Sequence, residues 1–185
     1  MNKCKWAYVS DLDMEYHDDE WGRPIYEDNL LFEVLSLELM QSGLSWSTIL
    51  KKRENFRNSF DQFDIIKVAQ YNDIKVDELL DNEGIIRHPL KIKAIINNAK
   101  CILEVQKEYG SFSKLMWSYV DNSPIINEWT NNSEVPSFNE LSIKITKDLK
   151  KIGFKFIGPT TIYAFMQASG MVNDHLVGCR KELEK

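Results

Sequence analysis

The chain has 185 residues, 43% hydrophobic and 28% charged, with a net charge of −5. That length suits one domain or two closely joined lobes and can bury roughly 70% of its unfolded surface, enough for a core without disulfides. No apolar run approaches the ~18 residues of a membrane span, and three scattered cysteines do not make a disulfide framework.

The first residues, "MNKCKWAYVSD", lack the apolar core of a secretory signal, so a cytosolic protein with no membrane partner is expected. The acidic balance argues against a nucleic-acid partner, but the charge is unevenly spread. Residues 1–40 hold ten Asp or Glu against three Lys or Arg, whereas 85–107 hold Arg87, Lys91, Lys93, Lys100 and Lys107 against Glu104 alone. A polarised surface can hold DNA on one face. Charge alone fits solvated helix faces better.

The pattern is helical nearly throughout. Near the start, "CKWAYVSDLDMEYH" carries Cys4, Trp6, Tyr16 and His17, with Trp21 just beyond. "DNLLFEVLSLELMQSG" reads as a helix capped by Asp28 and stopped at Gly43. On a 100° wheel its apolar face centres on Leu31, Val34 and Leu35, with Asn29, Glu33 and Ser36 on the solvated side. Glu38 falls in the middle of the apolar face. A buried carboxylate is costly without partners or a purpose. A structural hydrogen bond would serve, and so would a ligand pocket. Trp46, eight residues on across the Gly43–Leu44 break, favours the pocket. With Trp6, Tyr16 and Trp21 it suits a flat, nitrogen-rich, cationic ligand. Trp117 and Trp129 read as core packing.

"SWSTILKKRENFRNSF" continues as a helix with Ser45 available as its cap. "DIIKVAQ" and "DIKVDELLDNEG" are short helices, the second ending at Gly84. "HPLKIKAIINNAKCILEVQKEYG" is the longest, with Pro89 in its first turn and Gly110 at its end. Helix, Gly turn and helix over about 74–109 form a hairpin whose backbone N–H groups, with Arg87 and Lys91 beside them, can anchor a phosphate. An ordinary interhelical connection has the same appearance. Residues 121–136 read as a surface loop. Ser137 and Glu140 form a capping box before "LSIKITKDLKKIGF", and Pro159 opens "GPTTIYAFMQASG", which stops at Gly170. No stretch alternates over six residues, so the fold class is all-α.

The chain closes on "VNDHLVGC". His175 and Cys179 at i, i+4 share one face of a helix, and Cys4 with His17 would complete a Cys₂His₂ set, closed and therefore structural rather than catalytic. Four unrelated residues would fit the spacing too.

Several stretches together resemble the DNA-3-methyladenine glycosylase I family nearly end to end: "YHDDEWGRP", "LFEVLSLELMQSGLSWSTILKKRENF", "GIIRHPLKIKAIINNA" and "GFKFIGPTTIYAFMQASGMVNDH" with the final "GC". The resemblance implies a helix-hairpin-helix glycosylase domain over 1–185, with terminal segments 1–25 and 170–185 packed together by one structural zinc on Cys4, His17, His175 and Cys179. It implies that Glu38 recognises methylated adenine and is the one catalytic candidate, that Trp46 stacks on the base, and that Tyr16 and Trp21, with Trp6 nearby, line the pocket. Leu44 is the candidate wedge into the base stack. Gly84, Ile86, Arg87 and Lys91 are the candidate DNA contacts, with Pro89 and Leu90 departing from more polar members. No lysine stands as a Schiff-base nucleophile, so no strand cleavage is expected. The expected partners are double-stranded alkylated DNA and free 3-methyladenine, met by a monomer.

Overall fold

The computed structural model describes residues 4–179, so the outermost parts of the two expected terminal segments, 1–3 and 180–185, lie outside the described residues. Among those described, α1 (Asp11–Asp19), α2 (Asp28–Gln41), α3 (Trp46–Ser59), α4 (Ile65–Ala69), α5 (Asp73–Asp81), α6 (Pro89–Tyr109), α7 (Phe112–Ser118), α8 (Glu140–Ile152) and α9 (Pro159–Ala168) supply nearly all regular structure. The all-α expectation needs one amendment. Strands β1 (Ile125–Ile126) and β2 (Val172–Asn173) pair in parallel, Ile125 opposite Val172. Two residues per strand are too few to show a period in the sequence.

The core is centred on α2, which is buried from Leu31 to Met40 on every side. The expected solvated side does not exist: Glu33 and Ser36 are buried. Helix α3 folds back over that side, and Arg53 and Arg57 cover Glu33 with N–O distances of 2.8 and 2.9 Å. A paired buried carboxylate is tolerated where a bare one is not. Phe32, Phe56, Phe60 and Phe63 fill the space beneath, all fully buried. Truncating such a phenylalanine to alanine costs about 3–5 kcal/mol.

Most helix ends agree with the sequence pattern. Ser45 caps α3 by accepting from Thr48 N, Pro89 opens α6, and Gly110 and Gly153 end α6 and α8 in the left-handed conformation. Two caps differ. Helix α8 is capped by Asn139 with Ser142 as the reciprocal partner, not by Ser137 with Glu140. Asp28 is the first residue of α2 rather than its cap, and its carboxylate accepts from Phe112 N, Ser113 N and Gln106 Nε2. It therefore holds the start of α7 from 84 positions away.

The segment after α1 is sewn onto the end of α9. Gly22 N donates to Gln167 O and Ile25 N to Ser169 O. Gly170, at φ +72°, approaches so closely that a Cβ there would lie 2.3 Å from the Arg23 carbonyl carbon. No side chain fits, and this contact brings the N-terminal aromatics beside α2 and α9.

A candidate base-binding cavity beside a candidate metal cluster

Glu38 sits in the last turns of α2, 5% exposed, and hydrogen-bonds to nothing among the described residues. Its carboxyl lines a cavity of about 450 Å³, within the size range of small-ligand sites. Burial pushes its pKa from the ordinary 4.5 to about 8, because the charged form loses its hydration.

The aromatic wall comes from three elements. Trp46 opens α3 immediately after the 42–45 turn, and its ring centroid lies 5.2 Å from that of Tyr16 on α1. Trp6 lies 6.2 Å from Tyr16, and Trp21 lies 5.0 Å from Trp6. All four line the cavity. Burial first, and then the nearby Glu38 carboxyl, hold the Tyr16 hydroxyl well above the usual phenol range, so it is a donor at any ordinary pH. Trp46 Nε1 is buried with no hydrogen-bond partner among the described residues. An orphaned buried donor costs about 1–3 kcal/mol and marks a position where a ligand acceptor would be welcome.

Several lining residues carried no functional reading in the sequence. Asp13, 2% exposed, accepts from the Ser10 and Ser47 hydroxyls and so ties α1 to the start of α3 next to Trp46. Its one sequence signal was the Ser10-x-x-Asp13 capping spacing. Asp174 accepts four hydrogen bonds, from Asn127, Trp129, Tyr163 and Gln167 at 2.7–2.8 Å. It thereby draws 121–136 inward, and this segment is more than the surface loop expected: Asn132, Val135 and Pro136 line the cavity. Trp117 is buried as expected, whereas Trp129 is half-buried and donates to Asp174.

Cys4, His17, His175 and Cys179 converge next to this wall, with one ligand atom of each within 4.8 Å of the others. The Cys179 sulfur lies 3.3 Å from His17 Nε2, 3.9 Å from His175 Nδ1 and 3.9 Å from the Cys4 sulfur. Ligand bonds of about 2.0–2.3 Å around a tetrahedral zinc require separations of this size. The remaining ring nitrogens are held too, His17 Nδ1 by Asp18 Oδ1 at 2.9 Å and His175 Nε2 by Trp21 O at 3.0 Å. These bonds select the tautomers whose free nitrogens face the cluster. Burial raises the Cys4 thiol to about 11, so a cation is needed for it to ionise there. The expected carrier helix is absent: His175 and Cys179 sit on an irregular turn after β2. The pair lies close all the same, because a turn reverses the chain over the same four residues.

The hairpin candidates divide. Helices α5 and α6 are joined by a turn in which Gly84 is needed for space, not for a left-handed φ; a Cβ would lie 2.9 Å from Asn82 Oδ1 and 3.1 Å from Asn55 Cγ. The Ile86 and Arg87 N–H groups donate to nothing among the described residues. Arg87 is half exposed, 3.9 Å from Glu83. Leu44 is 38% exposed on its turn. Lys91 departs from expectation. It is 5% exposed, and its Nζ donates to Met40 O at 2.9 Å and Ser42 O at 2.7 Å. Its helix faces it inward, these carbonyls engage its ammonium, and burial lowers its pKa.

Known proteins resemble this chain in sequence and in fold. The methyladenine glycosylase family model matches residues 6–182. DNA-3-methyladenine glycosylase 1 of Escherichia coli (strain K12) is 47% identical over 97% of this chain and 96% of its own length, and the Haemophilus influenzae DNA-3-methyladenine glycosylase is 45% identical over 96% of each. A Staphylococcus aureus 3-methyladenine DNA glycosylase I, solved to explain 3-methyladenine recognition, superimposes with a TM-score of 0.95 at 38% identity, covering 100% of this chain and 98% of that one. With a family model spanning nearly every described residue and relatives this similar over nearly their full lengths, the chain belongs to the methyladenine glycosylase family.

Proposed function

We propose that this protein removes 3-methyladenine from double-stranded alkylated DNA by hydrolysing its N-glycosidic bond, without cutting the strand. The observation that carries the reading is Glu38, buried at an aromatic-walled cavity and left without a hydrogen-bond partner among the described residues. Methylation at N3 makes the base cationic, and the base departs neutral. Little general-acid power is needed, so the work is extraction and selection. Leu44 fills the vacated stack, and the hairpin that turns at Gly84 holds a phosphate through the Ile86 and Arg87 backbone N–H groups and the Arg87 cation, the Gly84 N–H being taken by Asn82 Oδ1. The flipped base lies against Trp46, with Tyr16, Trp6 and Trp21 closing the site. Stacking returns roughly 1–3 kcal/mol, on the scale of the flipping cost.

Glu38 gives the selectivity. With its pKa at about 8, the empty pocket holds a neutral carboxyl at pH 7. A cationic base stabilises the carboxylate, which accepts from the exocyclic amine as the proton leaves. Ordinary adenine brings no charge and no good leaving state. Glu38 is then the one candidate catalytic group.

One structural zinc on Cys4, His17, His175 and Cys179 would fix terminal segments 1–25 and 170–185 and leave the chemistry to other residues. The whole chain, 1–185, acts as one cytosolic helix-hairpin-helix domain, and as a monomer. Release of free 3-methyladenine from methylated duplex tests the reading. Tight binding of that duplex without base release would make the protein a silent binder instead.

A further inference from the structure

Helix α2 ends with Met40 and Ser42 carbonyls that have no intrahelical partner, and its last turn contains no basic residue of its own. Unpaired C-terminal carbonyls and the negative end of the helix dipole call for a cation. Lys91 provides it from α6, with Nζ 2.9 and 2.7 Å from the two oxygens. The position is unfavourable for Lys91's own helix, since it lies in the first turn of α6, where the dipole repels positive charge. The arrangement therefore serves α2.

Helix α2 runs directly into the Leu44 turn. Gly43 adopts φ +84° with open space around it. Leu44 N donates to Gln41 O, and Gln41 Nε2 donates to Leu44 O. Both bonds are local. Among the described residues, Lys91 alone joins Ser42–Leu44 to another element by hydrogen bonds. The same ammonium lies 5.8 Å from the Phe156 ring, and that ring lies 5.8 Å from His88, the cap of α6. Hairpin, Leu44 turn and the Phe156 loop thus meet at one buried charge.

We propose that Lys91 is a positioning residue for the wedge: by clamping the end of α2 to the start of α6, it makes hairpin docking and Leu44 insertion one event. This rests on the base-flipping reading above. The test uses Lys91→Met, Lys91→Gln and Leu44→Ala in the full chain, alone and combined. Wild-type release of 3-methyladenine from methylated duplex first checks the underlying reading independently. Lys91→Met should then slow single-turnover excision by roughly ten- to hundred-fold, the scale of a misplaced group distant from the chemistry. Free 3-methyladenine should bind within about twofold of wild type, as for independent sites. Adding Leu44→Ala to Lys91→Met should slow excision little further. The salt dependence of duplex binding should keep its slope, because no phosphate contact is lost. Lys91→Gln, which keeps a donor, should recover part of the rate and provides the same readouts if the methionine variant does not fold. A slope reduced by about one would make Lys91 a phosphate contact. Equal loss of free-base binding, or full additivity with Leu44→Ala, would reduce it to a general structural cap. Either result overturns the proposal.

Discussion

Replacing Glu38 with glutamine should change how stability responds to pH, and the carboxyl's surroundings set the size of the effect. In the unfolded chain Glu38 titrates near 4.5; in the folded chain burial moves it to about 8. Between those values the native state holds a proton that the unfolded state has released. Stability therefore falls as pH rises through this window, and the loss is complete above the folded pKa. At roughly 1.4 kcal/mol per pKa unit, the penalty grows to about 3 kcal/mol at pH 7 and to an upper bound of ~5 kcal/mol by pH 9. Local relaxation and water entry into the cavity will lower both figures. Glutamine keeps the shape and has no proton to hold. Urea denaturation at pH 5 and pH 8.5 measures the effect: the variant's midpoint should gain on wild type as pH rises, with similar m-values. The comparison cancels the histidines and the metal cluster, which both proteins share. Parallel midpoints across the two pH values would mean that Glu38 is hydrated or paired in solution, and the pocket argument would lose its basis.

Free 3-methyladenine should bind the protein and quench tryptophan fluorescence; Glu38→Gln should weaken that binding by roughly 1–3 kcal/mol, the scale of a charge-assisted hydrogen bond. Trp46→Ala should also weaken it, and a double-mutant cycle should give a non-zero coupling with Glu38. Arg87→Ala should reduce affinity for methylated and plain duplex by similar factors and lower the salt slope by about one; a loss confined to methylated DNA would remove the hairpin from the anchor. The purified chain should carry one zinc, and Cys179→Ala should lower the melting temperature while leaving base selectivity intact, as read by metal analysis and calorimetry.

The helices were legible because their signals are local. Ser45, Pro89 and Gly110 act within one turn of where they stand, and a pattern of spacing is enough to find them. Glu38 was legible for a related reason: a carboxylate among Val34 and Leu35 contradicts its own helix face. The features that stayed hidden depend on contacts between distant segments. Glu33 looked solvated because the arginines that cover it lie twenty and more residues on, in α3. Asp28 looked like a cap for the helix it starts, but its carboxylate accepts the first two N–H groups of α7. Lys91 looked like a surface cation beside a hairpin, and only the position of α2's end explains why it turns inward. Asp174 lines the cavity through partners that no spacing rule connects, and Asp13 is tied there by the distant Ser47 as well as by its capping partner Ser10. The Cys and His pairs were visible as residue types, but the turn that holds the second pair was not.

Cys4 and Cys179 are 175 positions apart in sequence, and their sulfurs lie 3.9 Å apart. An ion shared between them would turn the described backbone from a line into a ring. A ring has no intrinsic start, so the order of its elements could be rotated without changing any neighbour. A new opening at the exposed turn of Asp121 and Asn122, both already in the left-handed region, would leave every helix with the contacts it has now. The bond lost there would be replaced by a peptide link where the clasp now stands. Because His17 and His175 pack against Trp6 and Trp21, that seam runs along the wall of the cavity. Such a ring would be closed where the base would bind, and slack at the closure would be felt first as a loosened aromatic wall.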